Sequence, residues 1–211
     1  NLVWQLFWLH FNNQYTKYSI AIYYIYIKMK KDKIILGIDP GTNITGYGIV
    51  KKSKSKIDFL CFDVILLNKI TKHNLKLEKI FNKTLQIIET FSPDEVAIEA
   101  PFLSKNVQSM LKLGRAQGAA ILATTIKKKP ITEYAPKKIK LAITGRGQAS
   151  KEQVAGMLAN MLSIKKMPKY LDATDGLAAA VCHALQNDIV NTSTKHSWKS
   201  FIKNNPNRIK K

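Results

Sequence analysis

Two rhythms of apolar and polar positions run along this chain, one of period two and one near 3.6. Ile34, Ile35, Leu36 and Ile38 form a short apolar run that stops at Asp39-Pro40-Gly41, which predicts a buried strand ending in a turn. Gly46 to Lys51 and Ile57 to Leu66, separated by a polar Lys/Ser turn, predict two more strands in an antiparallel meander with the first. Leu77, Ile80, Phe81, Thr84, Leu85 and Ile88 then repeat at helical spacing, and Ser92-Pro93-Asp94 leads into a fourth strand over Glu95 to Glu99.

A small-residue helix fits Val107 to Ile126, where Gly114, Ala116, Gly118 and Ala119 allow close packing, and a fifth strand fits Pro130 to Tyr134. Helices over Pro136 to Ile143, Lys151 to Leu162 and Asp172 to Gln186 follow. This order predicts an α/β fold with a five-stranded mixed sheet covered by helices on both faces. No internal repeat is visible.

Residues 1 to 28 differ from the rest, being crowded with aromatic, Asn and Gln residues and free of acids. Met29 reads as the natural start, with 1–28 as an upstream translated or disordered extension, 29–187 as the single catalytic domain, and 188–211 as a basic, disordered tail. The apolar run Ile20 to Ile27 is too short to span a bilayer and has neither a basic leader nor a cleavage site.

Charge narrows the partners. Of 211 residues, 34 are Lys or Arg and only 14 Asp or Glu, a formal net charge of +20, and the cations recur along the whole chain. A polyanion, nucleic acid before a membrane surface, is the expected partner, although a biased genome rich in Lys, Asn and Ile also raises this count. Cys61 and Cys182 stand far apart in apolar surroundings, which argues against a disulfide framework or a zinc site and fits a reducing cytosol.

In so basic a chain an acid on an apolar strand needs a reason, because an unpaired buried charge costs several kcal/mol or shifts its pKa. Asp39 ends the first strand and Glu99 the fourth, with Val96 and Ile98 on one face and Ala97 and Glu99 on the other. If the two strands are neighbours, the carboxylates converge. Asp172 and Asp175 share one face of the last helix. Taken alone, Asp39 is equally a turn residue before Pro-Gly, and Asp172 and Asp175 are better read as an N-cap and a dipole-complementing acid worth about 1 kcal/mol. Four oxygen donors without Cys or His suit Mg²⁺ or Mn²⁺.

These residues resemble the RuvC-type Holliday-junction resolvases, the crossover junction endodeoxyribonucleases of the ribonuclease H-like superfamily. The resemblance rests on Ile35-Leu36-Gly37-Ile38-Asp39-Pro40-Gly41-Thr42 with Thr45-Gly46-Tyr47-Gly48, on Ala97-Ile98-Glu99, and on Lys105-Asn106. It continues through Leu111 to Gly118, Tyr134-Ala135-Pro136, Gly145-Arg146-Gly147-Gln148-Ala149, Gln153-Val154 and Asp172-Ala173-Thr174-Asp175, covering about residues 33 to 186. Gly176 departs from the usual Ala, at a cost in helix propensity.

The resemblance implies a ribonuclease H-like fold in which Asp39, Glu99, Asp172 and Asp175 are the catalytic, metal-binding acids. It implies two Mg²⁺ (or Mn²⁺) ions per site and a cytoplasmic homodimer that makes paired, symmetric nicks in four-way junction DNA during recombination and repair. Delivery by a RuvA–RuvB branch-migration complex is part of the same expectation. Phe102 matches an aromatic that stacks on junction bases, Lys140 and Lys151 match basic positions near the DNA, and Arg146 is a further DNA-binding candidate. His183 also matches a family position, but lies two to three turns beyond the acids and reads as structural. The same fold supports a ribonuclease or an inactive junction-binding protein, while an actin-like ATPase needs a duplicated domain for which this chain is too short.

Overall fold

The computed structural model describes residues 32–54, 56–101 and 106–193, with side chains up to 186. Its strands are β1 (Lys33–Asp39), β2 (Ile44–Ser53), β3 (Lys56–Leu66), β4 (Glu95–Glu99) and β5 (Ile131–Tyr134). Its helices are α1 (His73–Phe91), α2 (Val107–Ile126), α3 (Pro136–Thr144), α4 (Lys151–Leu162) and α5 (Asp172–Ser193). They form one five-stranded sheet of order β3-β2-β1-β4-β5.

The first three strands form the antiparallel meander, and β1 pairs with β4, and β4 with β5, in parallel. A parallel neighbour needs a crossover, and α1 and α2 supply the two. The first crossover closes through Ser92, whose left-handed backbone (φ 45°) ends α1 and lets its N–H bond Ile88 O. Asp94 then ties β4 to β1 from both sides, its N–H donating to Ile34 O and its carboxylate accepting from Ile34 N–H.

Strand alternation divides the core in two. Leu36, Ile38, Val96 and Ile98 face α1 and α2 and pack with Ile80, Ile87, Ile88, Ala116 and Ala120. Ile35 and Ala97 point the other way, into the layer of Ile139, Val154, Leu158, Leu177 and Val181 from α3, α4 and α5. The parity that sends Ile35 and Ala97 to the α5 side does the same for Asp39 and Glu99.

The sequence-based boundaries match the observed elements to within about two residues, β2 running two further at each end, except at the last helix. Helix α5 runs to Ser193, six residues past the point at which the sequence pattern ends the domain, so the start of the expected tail is helical. Residues 1–28 and the tail from 194 onward lie outside the described residues.

Candidate active site

The C-terminal ends of β1 and β4 lie side by side. Ile38 pairs with Ile98, which makes Asp39 and Glu99 the next residues on adjacent parallel strands. Helix α5 brings the other two acids, its first turn lying directly on β2. A Cβ built on Gly46 would stand 1.7 Å from Asp172 O, and one on Gly176 would stand 2.5 Å from Tyr47 Cα. Backbone meets backbone here, which lowers the α5 carboxylates to the level of the strand ends.

Asp39, Asp172 and Asp175 each offer a carboxylate oxygen within 4.8 Å of the other two, and among the described residues this is the group placed to hold a cation. Glu99 falls outside that tightest set but lines the same cavity of about 250 Å³. Pro40 and Gly41 of the β1–β2 turn, Ile44 at the start of β2, Leu113 and Gln117 of α2, and Ile139, Val154 and Ala178 complete much of its wall. Gln117, to which the sequence pattern assigns no role, is nearly buried and donates through Nε2 to Glu133 Oε2 at 2.7 Å.

Neither α5 acid acts mainly as a cap. The opening turn begins from Leu171, whose carbonyl accepts from the N–H groups of Thr174 and Asp175 and from Thr174 Oγ1. The Asp175 carboxylate instead accepts a hydrogen bond from Lys151 Nζ, which also lies 3.8 Å from Asp172 Oδ1. Lys151 is aimed by a capping box at the start of α4, in which Ser150 Oγ accepts from Gln153 N–H and the Gln153 side chain accepts from Ser150 N–H.

The acids carry the electrostatic cost of this crowding. Burial, then the charges of Glu99 and Asp175, raise the Asp39 carboxyl well above its ordinary range, with Lys151 opposing. Burial and Asp175 push Glu99 up to about 7 against the pull of Lys151 and Lys140. Asp175 is raised by burial, partly offset by its hydrogen bond to Lys151. Carboxylates that repel one another in a half-closed cavity of oxygen donors are short of positive charge, and a hard divalent cation fits that donor set.

Of the expected DNA contacts, Lys140 and Lys151 line the cavity. Arg146 lies on the exposed turn between α3 and α4, where its N–H donates to Thr144 Oγ1, and is not part of the cavity wall. Phe102 lies outside the described residues. His183 is buried and is not part of the cavity wall, with Nδ1 2.8 Å from Tyr134 Oη and Nε2 2.9 Å from Glu95 Oε2.

Residues 35–183 match the family model described as crossover junction endodeoxyribonuclease RuvC. The chain belongs to the RuvC family. Proteins named crossover junction endodeoxyribonuclease RuvC from Bacteroides fragilis and Christiangramia forsetii are 56% and 54% identical to it. The first match covers 87% of this chain and 100% of that protein, the second 86% and 95%. Among solved structures, Thermus thermophilus RuvC in complex with Holliday junction substrate is similar with a TM-score of 0.69 at 30% identity, covering 74% of this chain and 96% of that one. The fold is thus the ribonuclease H-like fold of RuvC, and the acid group accords with divalent metal use in this nuclease family.

Proposed function

We propose that the chain resolves Holliday junctions as a structure-selective endodeoxyribonuclease, by paired symmetric nicks in homologous recombination and DNA repair. The observation that carries this reading is the convergence of Asp39, Asp172 and Asp175 oxygens within 4.8 Å, beside Glu99, in the cavity of a RuvC-family protein. A net charge of +20 supplies the sequence-independent attraction to DNA.

Asp39, Glu99, Asp172 and Asp175 are the catalytic acids in this reading and would together hold two Mg²⁺ ions, or Mn²⁺ in their place. When bound, such a pair supplies the Lewis acidity that activates a water and stabilises the leaving 3′ oxygen, giving 5′-phosphate and 3′-hydroxyl ends. The buried carboxylates repel one another when ionised, and a bound cation would relieve that repulsion. Lys140 and Lys151 line the cavity from the α3/α4 side, and in this reading they would meet the phosphodiester there. Phe102 stacking on a junction base and Arg146 contacting the backbone belong to the same reading.

Paired nicks in a two-fold substrate call for a homodimer, with a RuvA–RuvB complex supplying the junction and the cytoplasm as the setting. No helix among the described residues is long and apolar enough to cross a membrane. Residues 29–187 carry the nuclease in this reading, with 1–28 and the basic tail outside it.

The test is cleavage of a synthetic four-way junction in Mg²⁺ by the unchanged protein, Asp39→Asn and Glu99→Gln, with matched RNA hairpins alongside. Each substitution should cost at least roughly 10²–10³-fold in rate, the scale of losing one charge-stabilising group, while junction binding persists. Undiminished cleavage in either variant, or faster cutting of RNA, sinks the assignment.

A further inference from the structure

On the other side of the β1–β2 turn from the acids, four basic side chains gather where α1 begins and α2 passes. His73 and Lys76 occupy the first turn of α1, which contains no acid, and Lys112 and Arg115 repeat the same three-residue spacing on α2, which packs on α1. Lys76 Nζ donates to Thr42 O at 2.8 Å and to Asn43 Oδ1 at 3.1 Å, while Pro40 and Gly41 of the same turn line the acid cavity. One short turn therefore separates the cationic group from the carboxylates.

The group is electrostatically incomplete. Lys112 and Arg115 are exposed, and neither takes part in an ion pair among the described residues. His73 Nε2 is buried without a hydrogen-bond partner. Burial, followed by the positive fields of Arg115, Lys112 and Lys76, holds the His73 imidazole below its ordinary value. The N-cap residue Lys72 makes no side-chain hydrogen bond to the helix start, so the α1 N–H groups add to the same unmet demand for an anion.

We propose that Lys76, Lys112 and Arg115, grouped around His73, form a second phosphate-binding patch that grips the DNA backbone away from the scissile phosphate. Lys112 and Arg115 supply free cationic donors, and Lys76, already tied to the turn, contributes charge and fixes the patch relative to Asp39. With Lys140 and Lys151 on the α3/α4 side, the carboxylates would be flanked by cations on two sides, so that one duplex arm can be held across the acid cavity.

The inference rests on the DNA reading above, and salt dependence tests it separately from cleavage. Binding of a labelled four-way junction and of a linear duplex is measured by anisotropy in EDTA, from roughly 50 to 200 mM salt. Removing one cation that neutralises a phosphate should flatten the log–log slope by about 0.9, so the Lys112→Gln/Arg115→Gln double variant should lower the slope by about 1–2 on both DNAs. Lys127→Gln/Lys129→Gln, which removes equal charge at the far end of α2, should leave the slope close to that of the unchanged protein. An unchanged slope in the first variant, or an equal flattening in the second, overturns the patch. If the unchanged protein holds junction and duplex equally, the junction reading fails, while the slope difference on duplex still decides the patch.

Discussion

The Lys151 ammonium, at the first position of α4, hydrogen-bonds the Asp175 carboxylate on the first turn of α5. Burial alone would pull this lysine down, yet Asp175, Asp39 and Asp172 together raise it above its ordinary value. It is a tethered cation in a place that also suits a divalent ion. Lys151→Gln should therefore destabilise the metal-free protein at neutral pH by about 1–2 kcal/mol, less than a fully buried hydrogen bond to a charged group because the lysine is half-exposed. That change lowers the melting temperature by roughly 2–8 °C. The rise in melting temperature on adding Mg²⁺ should exceed that of the unchanged protein, because no side-chain cation competes. Thermal melts with and without Mg²⁺ check both signs, and a smaller metal-induced rise would contradict the argument.

The raised acids predict an unusual pH profile. Glu99 shifts from an ordinary 4.5 to about 7, and Asp39 and Asp175 move in the same direction. Between the unfolded and folded values such groups bind more protons in the folded state, so stability falls as pH rises through that window. The metal-free protein should melt highest near the lower end, about 4.5, and lose stability up to about 7. Glu99→Gln, which cannot ionise, should flatten part of the slope. Calorimetry in EDTA across this range measures the effect, and parallel profiles for the two proteins would refute it.

Much of the site could be read from the sequence because strand alternation is a local rule. The parity of Ile35 and Ala97 already places Asp39 and Glu99 on one face, and only the parallel β1–β4 pairing had to be supplied by the fold. The α5 acids were less legible. As isolated helix-start residues Asp172 and Asp175 look like caps, and what distinguishes them is the depth at which α5 sits on β2, a property of no single segment. Gly176 illustrates the gap, since local propensity counts it as a cost although its missing side chain admits Tyr47 and Gly46. The family resemblance singles out Lys151 as a basic position, but its bond to Asp175 joins residues 24 apart.

His183 reads as structural in both sequence and structure, which yields a different prediction. It links α5 to β5 through Tyr134 and to β4 through Glu95, and Glu95 also pairs with Lys33 of β1. His183→Phe would leave the Tyr134 hydroxyl and one Glu95 oxygen without this partner, at a cost of about 1–3 kcal/mol. Urea denaturation should show that cost in the midpoint, while junction cleavage by the folded fraction stays near that of the unchanged protein. A large fall in rate at undiminished stability would place His183 in the chemistry instead.

The packing of α5 on β2 yields the last prediction. A methyl group at Gly46 meets the Asp172 carbonyl at 1.7 Å, and a backbone carbonyl cannot swing aside as a flexible side chain does. Gly46→Ala must therefore lift the first turn of α5 off the sheet, at a cost of about 1–3 kcal/mol for overpacking. Asp172 and Asp175 would be carried away from Asp39. Gly176→Ala gains up to about 1 kcal/mol in helix propensity but loses more against Tyr47 Cα and the Gly46 carbonyl, so it too should be net destabilising. Because metal capture depends on the separation of the acids, Gly46→Ala should weaken the Mg²⁺-induced rise in melting temperature beyond what its lower starting stability explains. Gly114→Ala, where the added methyl meets nothing within 4 Å, should leave that rise intact. A normal metal response in Gly46→Ala would mean that the acids tolerate the displacement and that the tight seating of α5 serves stability alone.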